Sequence, residues 1–223
     1  MESKADEPRG GIATIGLIET VRVRGGEAPL WPLHRRRLEA SCQALGIPVP
    51  PNLAPPSGGE DRIVRLAADR CGVQVTERPA GPTTPLRLIT SPIVHQRYPH
   101  KTTERDQFER TLTAARERGA EDGILLTADR WVAEAAIWTI LWWERDQLCG
   151  PELELGILPS IARARLAEIV GGIAERRRGV DELHGQSILL ANAGRGVVAV
   201  HSWDGVRVPA DPRTDRLKHS FWP

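Results

Sequence analysis

Lysine is the scarce cation of this chain. Of its 30 basic residues, only Lys4, Lys101 and Lys218 are lysines. Lys4 falls in a charged N-terminal stretch and Lys218 close to the C-terminus, so Lys101 is the one lysine expected inside the folded body. A guanidinium keeps its proton, whereas a lysine amine can lose it and attack a carbonyl once burial lowers its pKa. Composition alone favours reading Lys101 as a leftover in an arginine-biased chain. Other residues must therefore give it a role.

Four stretches could share a site with it. Glu134 stands alone between apolar residues in Trp131-Val132-Ala133-Glu134-Ala135-Ala136-Ile137. A buried carboxylate there would need a positive partner; without one it belongs at a strand end facing water. Gly156-Ile157-Leu158-Pro159-Ser160-Ile161-Ala162-Arg163 reads as a loop feeding a helix start, where free N–H groups and the helix dipole favour an anion. Ala191-Asn192-Ala193-Gly194-Arg195-Gly196 combines small residues and glycine, so backbone could approach a ligand or simply turn. His34-Arg35-Arg36-Arg37-Leu38 opens a helix on which three successive arginines point in different directions, so only one would reach inward.

The elements that must position these residues mix strand and helix. Residues 1–11 read as a loose tail, 12–23 as a bent strand or strand pair, and 28–31 as extended chain. Apolar spacing predicts helices over 33–45, 60–71, 103–118 and 160–177, with Ser160 as N-cap. Strands are expected at 73–75, 86–93, 123–127, 131–134, 137–143, 147–149, 187–191, 197–201 and 206–208. This order implies an α+β fold in two lobes, 1–93 and 94–223, meeting near 92–98.

Bulk properties exclude several classes. A net charge of +1 gives no electrostatic case for nucleic acid or an anionic membrane. No apolar run reaches the ~20 residues of a membrane span, and the charged N-terminus is unlike a signal peptide. Cys42, Cys71 and Cys149 are scattered without CxxC spacing, which suits packing residues in a reducing cytoplasm better than a metal site. The seven tryptophans, several between Trp138 and Trp143, suit either a core or a subunit interface.

Taken in order, these stretches resemble the class IV (fold type IV) pyridoxal-phosphate enzymes, which include branched-chain and D-amino-acid aminotransferases and aminodeoxychorismate lyase. The resemblance runs from about Gly16 to about Val200. It rests on Glu19-Thr20-Val21-Arg22, His34 to Leu38, Lys101-Thr102-Thr103-Glu104-Arg105, Val132-Ala133-Glu134, Gly156 to Arg163, and Asn192 to Gly196. The lyase-like branch is the nearest in flavour. The resemblance implies a homodimer with the site between the lobes. It implies that Lys101 holds pyridoxal 5'-phosphate and shuttles protons, and that Glu134 pairs with the ring nitrogen. The phosphate would rest on Ile161, Ala162 and Ala193 with Arg37 as clamp, and Thr20 and Arg22 would face a small amine or amino-acid substrate. The implied reaction converts aminodeoxychorismate to 4-aminobenzoate, a folate precursor, and pyruvate. Alternatives are amino transfer to a branched-chain or D-amino acid, or a homologue that has kept the fold without the chemistry. Five residues depart from the family pattern: Ser160 and Arg130 replace glycines, Thr139 and Glu104 replace asparagines, and Ala193 replaces a hydroxyl residue. Upstream strands and a tyrosine usual in the family are not seen before Gly16.

Overall fold

A computed structural model describes residues 15–51 and 53–223. The expected tail and the first residues of the expected early strand lie outside them. The described chain forms two sheets. The smaller is antiparallel, in the order β1 (Leu17–Val23), β2 (Arg62–Asp69), β3 (Gly72–Pro79). On one face Val21, Val23, Val64 and Leu66 are buried with Trp31 of helix α1 (Trp31–Leu45). The opposite face, at alternate positions, presents Ile18, Thr20, Ile63, Arg65 and Arg78 to a cleft.

The larger sheet has nine strands: β4 (Leu86–Val94), β5 (Asp122–Leu126), β6 (Val132–Ala135), β7 (Thr139–Glu144), β8 (Gln147–Pro151), β9 (Ala174–Arg176), β10 (Ile188–Asn192), β11 (Gly196–Trp203) and β12 (Val206–Arg207). Their spatial order is β6-β5-β4-β11-β10-β7-β8-β9, with β12 beside β11. β4 runs parallel to β5 and to β11. The β4–β5 crossover carries α2 (Asp106–Glu117), and the lysine stretch lies on its first leg. Ile140 and Trp142 pack on one face of the sheet with Ile124, Leu190 and Trp203. Leu141 and Trp143 pack on the other with α3 (Ile161–Val170) and with Leu217 of α5 (Pro212–Ser220). Burial on both faces is why β7 reads as one unbroken apolar run. Trp138, Trp142 and Trp143 are core residues of this chain.

Several elements differ from expectation. Residues 60–71 are strand β2: Ile63, Leu66 and Ala67 fit a helical period, but Val64, Leu66 and Ala68 also fit a period of two. The β-branched pair and the neighbours on both sides favour the strand. Residues 28–31 are not extended; Trp31 N–H donates to Ala28 O at 3.0 Å, and Pro32 sits in the first turn of α1. The helix expected to reach Arg177 stops at Val170, because Gly171 is left-handed at φ 78° and the chain then turns into β9. β3 continues to Pro79 rather than ending at Val75, and α5 and the short α4 (Val180–Leu183) were not anticipated.

Candidate active site

Lys101 is placed by its backbone before its side chain matters. Ile18 N–H of β1 donates to Lys101 O at 2.7 Å, and Thr103 N–H donates to Gly16 O at 2.8 Å. A Cβ on Gly16 would lie 3.2 Å from both Ala68 O and Thr103 Cγ2, so glycine allows this close crossing. Tyr98 Oη donates to Thr102 O at 2.7 Å, and His100 Nδ1 lies 3.1 Å from Ser41 Oγ of α1. The lysine segment is thus fastened to the small sheet and to α1.

The side chain lines a cleft of about 230 Å³ between the two sheets. Desolvation, reinforced by the charges of Arg105 and Arg37 and opposed by Glu19 and Glu134, brings the Lys101 amine from 10.5 down to about 7. Glu104 is exposed, and Arg105 rather than Glu104 acts on the amine. Arg105 is held by Ala136 O at 2.9 Å and by the Phe108 ring, 4.7 Å from its guanidinium carbon.

Glu134 lines the same cleft and does not sit at a solvent-facing strand end; it is buried. Its Oε1 receives His95 Nε2 at 2.9 Å and Leu158 N–H at 3.3 Å. His95 is the hydrogen-bond partner of this acid, and sequence reasoning missed it. It stands 39 residues away, just after β4, with its N–H bound to Leu126 O. Asp122 was also missed. It is fully buried and takes Gly123 and Ala136 N–H on Oδ1, at 2.6 and 3.0 Å, and Ile137 N–H on Oδ2 at 3.2 Å. It thereby fixes the turn from Ala135 to Trp138 that forms one cleft wall. Burial raises its carboxyl to about 6 despite these donors.

Arg37 is the one inward member of the arginine run; Arg35 and Arg36 are exposed. It binds Glu19 through Nε at 2.9 Å and Nη2 at 2.6 Å, and Pro159 O through Nη1 at 3.2 Å. Glu19 also meets His34 Nδ1 at 2.6 Å. Burial alone would raise Glu19, but Arg37 and His34 outweigh it and hold the carboxyl at about 2. Burial lowers His34, against the pull of Glu19. This buried triad, assembled from β1 and α1, was invisible as a unit in the sequence.

Ser160 caps α3 as expected, its Oγ accepting Arg163 N–H at 3.4 Å. Among the described residues no hydrogen bond reaches the N–H of Ile161 or Ala162. Ile161 and Ser160 line the cleft, and Ala162 lies buried just behind. Arg163 turns away to Pro151 O and Glu175. Ala193 lines the cleft, and Asn192 Oδ1 holds its turn by taking Gly194 and Arg195 N–H. Thr139 and Thr20 also line the cleft. Arg22 does not: it is tied to Asp61 at 2.9 Å and to Gly194 O, beside the Trp222 ring. Thr20, two residues away on the same strand face, does line the cleft. Arg130 has φ 64°, a left-handed conformation that explains why glycine suits this position.

The fold is shared with known structures. The chain superposes on a protein of Legionella pneumophila named as a candidate 4-amino-4-deoxychorismate lyase with TM-score 0.82 and 21% identity, covering 95% of this chain and 93% of that one. A branched-chain aminotransferase of Thermoproteus uzoniensis gives 0.81 and 21%, covering 93% and 84%. The branched-chain aminotransferase of Escherichia coli gives 0.79 and 17%, covering 95% and 85%. These likenesses establish the fold type IV architecture. Comparison with curated protein sequences finds no match. Among the described residues no helix is long and apolar enough to cross a membrane. Residues 58–203 match the family model described as amino-transferase class IV, and over that span, most of its length, the chain belongs to this family of pyridoxal-phosphate-dependent enzymes.

Proposed function

We propose that this enzyme is a lyase that converts 4-amino-4-deoxychorismate to 4-aminobenzoate and pyruvate, with Lys101 as the residue that moves the proton. One observation carries the reading: a lysine amine brought to about 7 lines the same cleft as a buried, oriented carboxylate. The donor set fits pyridoxal phosphate. Lys101 offers the amine, and Glu134, with Oε1 held by His95 and Leu158 N–H, offers Oε2 to the ring nitrogen. The uncommitted N–H groups of Ile161 and Ala162 suit the phosphate. Arg37 stands beside them with its charge already matched by Glu19, so its pull on the phosphate is weaker than that of a free guanidinium. Ala193 supplies backbone only.

When bound there, pyridoxal phosphate would supply an electron sink for the carbon bearing the substrate amine. Lys101 Nζ, about half neutral at pH 7, accepts the proton of that carbon and returns it to the departing three-carbon unit. The carbon–oxygen bond to that unit breaks, and the ring becomes aromatic. Thr20 faces the substrate from β1. Asp122 keeps the opposite wall in place. We infer a homodimer, as the family resemblance implies, in the reducing cytoplasm that the scattered cysteines suit; sedimentation at micromolar concentration tests the dimer.

The deciding experiment supplies the cofactor-loaded protein with aminodeoxychorismate and measures pyruvate. Pyruvate release that is lost in Lys101→Ala supports the lyase. Amino transfer to 2-oxoglutarate without pyruvate release replaces it with an aminotransferase, and neither reaction leaves a homologue that has lost its chemistry.

A further inference from the structure

Glu134 meets the cleft with one oxygen already engaged. Its Oε1 takes His95 Nε2 at 2.9 Å and Leu158 N–H at 3.3 Å, whereas among the described residues no hydrogen bond reaches Oε2. The His95 and Glu134 side chains are 1% and 9% exposed, so water competes little for their contact. An ionised carboxylate only accepts hydrogen bonds, so His95 Nε2 must carry hydrogen toward it. The imidazole has a rigid mount, because the chain on both sides of it is pinned. His95 N–H donates to Leu126 O of β5 at 2.8 Å. Gln96 N–H donates to Gln107 Oε1 of α2 at 2.8 Å, and Gln107 Nε2 donates back to Gln96 O at 2.9 Å. Gln107 is itself buried. Histidine also has a property here that arginine and lysine lack: it can donate from Nε2 while uncharged. A cationic donor would cancel the Glu134 charge. A neutral donor orients and stabilises that charge and leaves it to act on whatever meets Oε2.

We propose that His95 is a positioning residue for the reaction in this cleft: it keeps Glu134 ionised with Oε2 free for the ring nitrogen of pyridoxal phosphate, and so sets how firmly that nitrogen holds its proton. This rests on the reading of the cleft as the cofactor site. It does not depend on whether elimination or amino transfer follows.

The test compares pyridoxal phosphate with the analogue in which a C–H replaces the ring nitrogen. Both carry the aldehyde and the phosphate, so they differ only where Glu134 acts. Absorbance titration of the full chain gives each dissociation constant. The unaltered protein should bind pyridoxal phosphate at least about tenfold more tightly than the analogue, the difference made by one charge-assisted contact. His95→Asn, whose amide is too short to reach Glu134, should weaken pyridoxal phosphate about tenfold and leave the analogue within about twofold. His95→Gln, whose Nε2 can stand where the imidazole Nε2 does, should recover most of that loss. His95→Asn combined with Glu134→Gln should bind no more weakly than Glu134→Gln alone, since His95 acts through that carboxylate. Should His95→Asn fail to fold, nitrogen NMR of the unaltered protein carries the readout: hydrogen on His95 Nε2 supports the proposal, and hydrogen on Nδ1 alone overturns it. Equal losses for both ligands in His95→Asn mark a merely structural pair and overturn the proposal, as does no loss for either; both results leave the cofactor reading standing. An unaltered protein that binds neither ligand sinks the cofactor reading and the proposal with it.

Discussion

An ordinary lysine amine at 10.5 is neutral in about one molecule in 3,000 at pH 7, whereas the Lys101 amine at about 7 is neutral in about half. The gain in reactive form is therefore about 1,500-fold. Part of it is lost, because nucleophilicity falls with basicity; a slope near 0.5, as for thiols, takes back about 50-fold over this shift. The net expectation is acylation about 30-fold faster than in a flexible lysine peptide at pH 7, less whatever the cleft walls subtract. Trace labelling with acetic anhydride across pH 5 to 11, with peptide mass mapping, reads this out residue by residue. The Lys101 rate should level off above about pH 7 while the reference peptide keeps rising. The sign for stability follows from the same shift. Between about 7 and 10.5 the unfolded chain holds a proton that the folded chain has released, so this group makes stability rise with pH across that window. Below about 7 its cost is fully present, about 5 kcal/mol at most. Lys101→Met should therefore stabilise the protein at pH 6 and leave it unchanged near pH 11. A Lys101 profile that coincides with the peptide, or a Lys101→Met variant less stable at pH 6, would refute the desolvated amine.

Three further outcomes follow from the same contacts. Glu19→Gln strands the buried Arg37 charge beside His34 and should cost about 3–5 kcal/mol in chemical denaturation; a loss below 1 kcal/mol would show that the triad contributes little. Arg130→Gly relieves the left-handed backbone at φ 64° and should stabilise by about 1 kcal/mol, a rise of a few degrees in melting temperature; no rise would mean that the conformation carries no strain. Asp122→Asn keeps one acceptor oxygen but sets an NH2 against Ile137 N–H, and should cost about 1–3 kcal/mol and raise the KM through the loosened wall. Unchanged stability and KM would remove Asp122 from the account.

What the sequence made legible was local. Lys101 stood out by scarcity, Ser160 by its place before a helix, and α1 by Leu38, Cys42 and the stop at Gly46. The assignment of residues to the cleft was harder, because it depends on which strand face looks inward. Thr20 and Arg22 sit two apart on β1 and share a face, yet Asp61 and Trp222 hold Arg22 away from the cleft. Glu134 was recognisable as an acid in need of a partner, but His95 is brought to it only by the β4–β5–β6 pairing. Arg65 was hidden by reading 60–71 as a helix, and Arg78 by ending the next strand at Val75. A helical period scatters Ile63 and Arg65 around an axis, whereas the strand aligns them toward one side. Glu19, His34 and Arg37 were each visible, and their joining needed the packing of α1 on β1.

Lys101 Nζ is the one atom to which pyridoxal phosphate should link covalently. The protein mixed with pyridoxal phosphate should develop a visible absorption band that borohydride bleaches, and peptide mapping should find the reduced adduct on Lys101 alone. Lys101→Ala should show no such band while keeping its fold. A band that survives Lys101→Ala, or an adduct mapped to Lys4 or Lys218, would contradict the central claim.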